Sequence, residues 1–281
     1  MGDEFEKEEV IVPKSYEIVG SREKSVAIVE IPVSLEGEEK KIAASIMWQN
    51  KSVKSVLKKS SERGGKLRLR KYEMIEGDPN TEVNHREYGY ELRVDPQKAY
   101  FSPREASERQ RIASQAKSGE MVLVMFSGIA PLPIAIAKRQ TEVRKVYGIE
   151  LNRIAHEYGI YNVRINKLGH KITLIHGDVK EVCKGYHGKF DRIVMPLPMG
   201  AENFLETAVT CLKEDGIIHF YSWGKEDDLF SNALKLIEEG CNRLGKKCEV
   251  LSKRKVLPYS PRKWKVCIEF KVKRGSDSLV F

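Results

Sequence analysis

The sequence predicts an α/β protein in which a mostly parallel sheet follows a small α+β domain. After about residue 95, short unbroken apolar runs alternate with helical patterns, which is typical of strands covered on both faces. Before that point, short alternating apolar runs appear with a helical pattern between them, which indicates a small α+β domain. The 281 residues suffice for two domains, which we expect at 1–95 and 96–281.

In the amino-terminal domain, alternating stretches predict strands at 26–31 and 90–94. A helix is predicted between them, over 42–58, because apolar residues recur at 42, 46, 53 and 57 with helical spacing. We therefore expect a small domain with one helix and a few short strands.

The second domain is expected to begin with a helix after Pro103, for which Ser102 or Ser107 could serve as the cap. Strands and helices then alternate, and the chain closes with a strand pair. The predicted strands are 121–126, 145–150, 172–176, 190–195, 216–221, 248–255 and 263–271, and the predicted helices are 134–139, 152–166, 202–212 and 227–240.

Charge is unevenly distributed along the chain. Lys and Arg number 49 against 40 Asp and Glu, a net charge of +9. Residues 51–71 hold 9 basic side chains and 1 acidic one, and a second basic stretch, 246–265, includes Tyr259 and Trp264. Basic clusters interleaved with aromatic residues suggest a structured RNA as partner. A solvated basic face explains the composition equally well, so both interpretations stay open here.

Several function classes are excluded by composition. No apolar run approaches the roughly 18 to 20 residues of a membrane span, and the acidic start lacks a secretory leader. Five cysteines without C-x-x-C spacing fit a reducing compartment, and Cys211 and Cys267 are expected in the core. The histidines are dispersed, so we assign no metal, and His219 is expected to be a packed core residue. We expect a cytoplasmic protein without membrane contact.

Candidate ligand-binding residues stand where the predicted parallel strands end. Gly128 follows the first strand, and Glu150 ends the second strand, 22 residues later. A carboxylate there can accept hydrogen bonds from both ribose hydroxyls of an adenosine cofactor. Asp178 ends the third strand, where it can accept from an adenine amino group. The loop at Gly128 lacks the full G-x-G-x-x-G that cradles a pyrophosphate, which favours S-adenosylmethionine over a dinucleotide.

Six segments together resemble the archaeal and eukaryotic tRNA (guanine-37 N1)-methyltransferases. They are 101–109, 125–128, 149–152, 191–198, 218–221 and 259–262. The resemblance extends over about 16–272 and implies a class I, Rossmann-like S-adenosylmethionine-dependent methyltransferase fold preceded by a small RNA-contacting module. It implies transfer RNA as the partner and S-adenosylmethionine as the methyl donor.

The resemblance also assigns residues. Arg104 is similar to the arginine that holds the guanine O6. The general base is predicted from the chemistry and not from the resemblance: guanine N1 must lose a proton, and we name Glu150 as the base, with Asp178 as the alternative. The cofactor would be bound at its methionine end by Ser102 and Arg109, at its ribose by Glu150 and Leu151, at its adenine by Asp178 and Val179, and along the loops by Phe126, Gly128, Met195 and Pro196.

Three alternatives remain, of which a methyltransferase acting on a protein or a small molecule fits the fold but leaves the basic stretches unexplained. The sister enzymes of the wybutosine pathway transfer an aminocarboxypropyl group from the same cofactor; Arg104 and the stretch 198–205 resemble the methyltransferases instead. Val124, Ala130 and Pro196 depart from the family's acid, glycine and asparagine, which leaves a non-catalytic RNA-binding relative as the third alternative. We also expect no room for the further amino-terminal domain with which these methyltransferases usually grip tRNA. The sequence leaves the oligomeric state open.

Overall fold

The computed structural model describes residues 16–61, 64 and 70–274, with Arg274 described for its backbone only. Within it, the chain divides into two units, Met1–Arg104 and Glu105–Phe281. This division falls inside a short 3-10 turn, Pro103–Glu105, whereas the sequence suggests a boundary at 95/96. The basic stretch 51–71 is described in part, since 62–63 and 65–69 lie outside the described residues.

The described part of the amino-terminal unit holds a four-stranded sheet in the order β1-β2-β3-β4, one helix and a separate hairpin of β5 and β6. The helix buries Ile42, Ala43 and Ile46, which pack with Val29 and Val56 of the sheet into one apolar cluster. The elements are β1 (Tyr16–Gly20), β2 (Ser25–Val29), α1 (Glu39–Gln49), β3 (Val53–Lys59), β4 (Tyr72–Gly77), β5 (Val83–Glu87) and β6 (Tyr90–Val94).

The helix predicted over 42–58 is wrong in its second half, because α1 ends at Gln49 and β3 follows. Asn50 stops the helix, and its side-chain amide donates to the carbonyl of Ile46 at 3.2 Å. Val53 and Leu57 are both buried in β3, and the residue between them on the same face is the buried but polar Ser55. A serine at that position hides the strand's alternation and leaves a four-residue apolar spacing that looks helical.

The carboxy-terminal unit is built around a seven-stranded sheet in the order β12-β13-β11-β10-β7-β8-β9. The five strands from β11 to β9 run parallel, and β13 and β12 are antiparallel, which agrees with the predicted sheet and closing strand pair. The strands are β7 (Met121–Met125), β8 (Lys145–Glu150), β9 (Ile172–His176), β10 (Phe190–Met195), β11 (Leu212–Lys225), β12 (Lys246–Ser260) and β13 (Lys263–Arg274), and the helices are α2 (Ala106–Gln115), α3 (Pro131–Arg139), α4 (Arg153–Ile165), α5 (Val179–Val182), α6 (Leu205–Cys211) and α7 (Ser231–Asn242). Among the described residues, no helix is both long and apolar enough to cross a membrane.

The strand order reverses at β7, because β8 lies on one side of it and β10 on the other. These strands are parallel, so their carboxyl ends meet at one edge of the sheet. Ligands of open α/β sheets bind in the crevice at such a point. The residues that follow β7, β8, β9 and β10 are therefore the place where a site is expected.

A buried cation ties the end of α2 to the middle of the sheet. Arg192 of β10 is 1% exposed, and its guanidinium donates to both carboxylate oxygens of Glu120 at 2.9 and 3.0 Å. It also donates to the carbonyl of Gln115 at 2.8 Å and to Nε2 of His219 at 2.7 Å. All three groups would lose their charge partner or donor if the arginine were replaced.

A second guanidinium, that of the half-buried Arg111, holds the middle of α2 against β13. It donates to Glu108 at 2.7 and 2.8 Å and contacts the carboxylate of Glu269. The hydroxyl of Tyr221 donates to Glu108 at 2.5 Å. Ligating atoms of His219, Cys267 and Glu269 lie within 4.8 Å of one another, but Arg111 contacts Glu269 and lies 3.5 Å from Cys267 Sγ. A metal cation there would face this positive charge, so we assign no metal.

His219 makes stability depend on pH. Burial lowers the pKa of His219, opposed in part by Glu269, whose Oε1 lies 3.5 Å from Nδ1. Below about pH 6.5, the unfolded chain therefore binds a proton at His219 and the folded chain does not. The free energy of unfolding then falls as the pH drops, by up to about 1.4 kcal/mol per pH unit. We expect urea unfolding of His219→Gln to show a shallower decline from pH 7 to pH 5.5 than the parent chain. An unchanged decline would contradict this assignment.

Candidate active site

The loop that follows β7 is held in a left-handed conformation at several positions. Phe126, Gly128 and Ala130 have φ of 58°, 56° and 65°. The amide of Ser127 donates to the carbonyl of Ile149 at 2.9 Å, which ties the loop to β8. Ala130 is also the N-cap residue of α3, so the loop leads directly into that helix.

Glu150, at the end of β8, is fixed beside this loop by two backbone groups. Its Oε2 accepts from the amide of Gly128 at 2.7 Å, and its Oε1 accepts from the amide of Asn152 at 2.7 Å. Burial raises the pKa of Glu150, and the hydrogen bonds from Asn152 and Gly128 oppose that rise. The structure thus brings together Gly128 and Glu150, two residues that the sequence predicts for one site.

Gly148 permits the close packing beneath this pair. A Cβ at Gly148 would lie 2.6 Å from Cδ2 of Leu174 and 3.0 Å from Cβ and Oγ of Ser127. Gly148 and Leu174 are paired in the β8–β9 ladder, so a side chain at position 148 would lie on the same face as that of Leu174. The absence of a side chain therefore lets the loop lie against the strand.

Gly148→Ala is expected to destabilise the fold by about 1–3 kcal/mol, because overpacking forces neighbouring groups to move. Displacement of Ser127 would also shift the loop and weaken cofactor binding. Gly169→Ala is the matched control, since a Cβ there meets nothing within 4 Å. Urea unfolding and calorimetric titration of both variants test the expectation; equal stability of the two would contradict it.

The residues predicted to contact adenine and ribose lie at the next two strand ends. Asp178 follows β9, is exposed, and caps α5 by accepting from the amide of Lys180 at 2.8 Å. Val179 is buried behind it, whereas the side chain of Leu151 is 38% exposed at the end of β8. His176 joins the two ends, because its Nε2 lies 3.1 Å from the carbonyl oxygen of Leu151.

Three further residues predicted to contact the cofactor, Phe126, Met195 and Pro196, lie partly in the core and partly at the edge of the sheet. The ring of Phe126 meets that of Phe204 edge to face, with centroids 4.9 Å apart. Met195 is fully buried in the core, and Pro196 is half-buried directly after it. The side chain of Met195 therefore packs in the core beneath the edge of the sheet, and its predicted contact with the cofactor stays a prediction.

Ser102 and Arg104 belong to the amino-terminal unit, and Arg109 to the other. The predicted cap is wrong: Glu105 is the N-cap residue of α2, and Ser102 Oγ instead donates to the carboxylate of Glu17 at 2.8 Å. Arg104 is exposed in its 3-10 turn, and Arg109 is buried, at 5% exposure. Their predicted contacts with substrate and cofactor stay predictions.

Two of the three departures from the family pattern have a clear structural setting. Val124 is fully buried in β7, paired with Gly148 and Val194 in the sheet. Ala130 has φ of 65°, a conformation that glycine adopts without steric cost. Pro196 adjoins the site after β10, and the structure does not by itself explain why proline stands there.

Asn152 contributes to the site in a way that the sequence prediction missed. Its amide holds Glu150, and its side chain caps α4 by accepting from the amide of Ile154 at 3.0 Å. An asparagine directly before a helical pattern is a known start signal. That signal could have linked the position of Glu150 to the start of α4.

Comparison with known families assigns both parts of the chain. The TRM5/TYW2 methyltransferase domain matches residues 83–251, and the TYW2 N-terminal domain matches residues 1–81. The chain belongs to the TRM5/TYW2 methyltransferase family. The resemblance stated from the sequence is thereby confirmed, and so is the predicted class I methyltransferase fold preceded by a small domain.

The chain is 39% identical to the tRNA (guanine(37)-N(1))-methyltransferase Trm5b of Pyrococcus abyssi, over 93% of this chain and 76% of that protein. It is 35% identical to Trm5b of Methanocaldococcus jannaschii, over 96% of this chain and 74% of the relative. A tRNA(Phe) (4-demethylwyosine(37)-C(7)) aminocarboxypropyltransferase of the same organism is 28% identical, over 79% of this chain and 87% of that protein.

Solved structures of the family are similar in fold. The crystal structure of Pyrococcus abyssi Trm5b matches with a TM-score of 0.82, covering 93% of this chain and 76% of that one. A complex of aTrm5 with tRNALeu matches with a TM-score of 0.81 at 35% identity, over 93% and 72% of the two chains. Trm5 of Methanocaldococcus jannaschii with adenosine matches with a TM-score of 0.78 at 34% identity, over 93% and 75%.

Proposed function

We propose that this chain transfers a methyl group from S-adenosylmethionine to N1 of guanosine 37 in transfer RNA. The observation that carries the proposal is its 39% identity with a tRNA (guanine(37)-N(1))-methyltransferase over 93% of the chain. Family membership and the carboxylates of Glu150 and Asp178, which stand at two successive strand ends, support S-adenosylmethionine as the cofactor. As an enzyme of transfer RNA, it would act in the cytoplasm.

The residues at the sheet edge fit an adenosine cofactor. A carboxylate offers about four lone-pair sites, and the two backbone amides at Glu150 use two of them. The remaining capacity matches the two hydroxyls of a ribose. Asp178 accepts one backbone amide through Oδ1 and has further acceptor capacity for an adenine amino group. Leu151, whose side chain is 38% exposed, would contact the ribose, and Val179, buried behind Asp178, would line the adenine end.

The chemistry requires that guanine N1 lose its proton and that the negative charge spreading to O6 be stabilised. When bound, S-adenosylmethionine supplies the electrophilic methyl group. Arg104 would hold O6 with a permanent cation and two parallel N–H donors. Glu150 is the proposed base, although its hydrogen bonds to the loop suit it well for holding the ribose. Asp178, which is exposed, is the alternative base.

We assign RNA contact to the amino-terminal unit as well. Trp48, near the end of α1, is 70% exposed, and the ammonium of Lys51 lies 5.8 Å from its ring centroid. An exposed aromatic ring next to a lysine can stack on a base while the cation meets a phosphate. The basic stretch 51–71 begins at this lysine.

The second candidate function is transfer of the aminocarboxypropyl group from the same cofactor. The match of residues 1–81 to the TYW2 N-terminal domain favours it, as does the 28% identity with an aminocarboxypropyltransferase. The higher identity with two Trm5b proteins favours methyl transfer. The two reactions differ in which carbon next to the sulfonium is attacked, so the label that reaches the RNA separates them.

The test uses tRNA transcripts that carry guanosine, adenosine or inosine at position 37, with S-adenosylmethionine labelled on the methyl group. We expect label in the guanosine transcript and none in the adenosine transcript, because adenine carries an amino group in place of O6, and its N–H donors would face the donors of Arg104. Inosine keeps N1 and O6 and should also accept label. Equal labelling of the adenosine transcript, or none in any transcript, would overturn the proposal.

A further inference from the structure

A compact aromatic and cationic cluster lies at the end of β11 and the turn between β12 and β13. The rings of Trp223 and Tyr259 are stacked at a tilt of 42°, with centroids 4.3 Å apart. The ammonium of Lys263 lies 5.7 Å from the first ring centroid and 5.6 Å from the second. Tyr259 is 45% exposed, and Trp223 is half-buried beneath it.

The cluster lies within a strongly basic segment. Residues 253–265 contain six Lys or Arg side chains and no Asp or Glu. Two of these cations pair with acids, since Lys265 Nζ lies 2.8 Å from Glu105 and Arg254 Nε lies 3.8 Å from Glu108. Within the described part of the chain, Lys263 contacts aromatic rings and forms no ion pair with a carboxylate. Cations that are not neutralised by acids remain available to a polyanion.

The register of the strands places the cluster at the edge of the sheet where the site is expected. β11 runs parallel to β10, so its end lies at the same edge as the loop after Met195. Lys263 pairs with Lys225 at the end of β11, and Ser260 pairs with Lys263 across the turn. Trp223 faces Lys265, which bonds Glu105, the N-cap residue of α2. Arg104 immediately precedes that residue in the chain.

We propose that Tyr259, backed by Trp223 and flanked by Lys263, is a stacking platform for an unpaired base of the anticodon loop next to the target guanosine. This inference rests on the proposed function. Unpaired bases stack on aromatic rings, and the accompanying phosphates meet nearby cations. Paired bases in a stem keep their faces covered by their neighbours, so the platform fits a loop nucleotide and not a helical one.

The experiment compares full-length variants in binding to a tRNA transcript. Tyr259→Ala should raise the Kd about tenfold, the loss expected for one base–aromatic stack, whereas Tyr259→Phe keeps the ring and should stay within about twofold of the parent chain. Lys263→Gln should also weaken binding. Lys247→Gln is its control, because it makes the same charge change at the opposite end of the β12–β13 pair. Calorimetric binding of S-adenosylmethionine confirms that each variant is folded.

Transcripts with one abasic nucleotide at each loop position in turn then locate the base. The proposal predicts that the effect of Tyr259→Ala disappears for one abasic position next to the target and persists at the others. It is overturned if Tyr259→Ala binds tRNA as the parent chain does, or if the effect survives at every position. Failure of the proposed function would look different, since the parent chain itself would then not methylate the intact transcript.

Discussion

Glu150→Gln is expected to weaken S-adenosylmethionine binding about 30- to 160-fold, which corresponds to about 2–3 kcal/mol of hydrogen bonding to a charged group. The two carboxylate oxygens hold the amides of Gly128 and Asn152, both at 2.7 Å. An amide side chain has one oxygen, so one backbone donor would face an NH₂ group. The variant therefore loses acceptors for the loop and for the ribose together.

The pH dependence of binding gives an independent readout. Because burial raises the pKa of Glu150 above its ordinary 4.5, the carboxylate takes up a proton at a higher pH than an exposed one. Cofactor binding should weaken as pH falls through that raised pKa, and Glu150→Gln should lose this dependence. Glu157→Gln is the matched control, since Glu157 is exposed on α4 and pairs with Arg153 at 3.0 Å. Parent-like affinity in Glu150→Gln would contradict the assignment.

Arg104→Ala is expected to lower kcat for methylation about 100- to 1000-fold, the loss typical of removing one donor to a developing oxyanion. The guanidinium is exposed in its turn. Its proposed task is to stabilise charge on the guanine O6, so S-adenosylmethionine should bind within about twofold of the parent value. Single-turnover rates at saturating tRNA separate this loss in the chemical step from weaker substrate binding.

Two further variants sharpen this test. Arg104→Lys keeps the charge but not the planar pair of donors, so it should recover only part of the rate. Arg86→Ala removes an exposed arginine of the same unit and should leave the rate unchanged. If Arg104→Ala methylates as fast as Arg86→Ala while both bind the cofactor, the role given to Arg104 is wrong.

The parallel part of the sheet could be predicted from the sequence because its strands are short unbroken apolar runs. The predicted 121–126 and 190–195 agree closely with β7 and β10. The last strands are longer than predicted: β12 continues through Pro258 to Ser260. It is an edge strand with three register shifts, and an edge tolerates a proline that ordinarily ends a strand.

Within the candidate site, the positions could be predicted but the contacts could not. Topology alone places Gly128 and Glu150 at neighbouring strand ends. That the carboxylate is held by two backbone amides depends on local loop geometry. The sequence suggests Ser102 or Ser107 as a helix cap, whereas Ser102 bonds Glu17, a residue 85 positions away. The hydrogen bonds of Arg111 and Arg192 likewise join residues that are distant in sequence, so the periodicity of apolar residues could not predict them.

The central claim is methyl transfer to N1 of guanosine 37, and one measurement tests it most directly. Unmodified tRNA is incubated with the chain and S-adenosylmethionine that carries distinct isotopes on the methyl and carboxyl carbons, and the nucleosides are then analysed by mass spectrometry. The account predicts 1-methylguanosine that contains the methyl isotope alone. Carboxyl isotope in the RNA would contradict it and assign the chain to aminocarboxypropyl transfer.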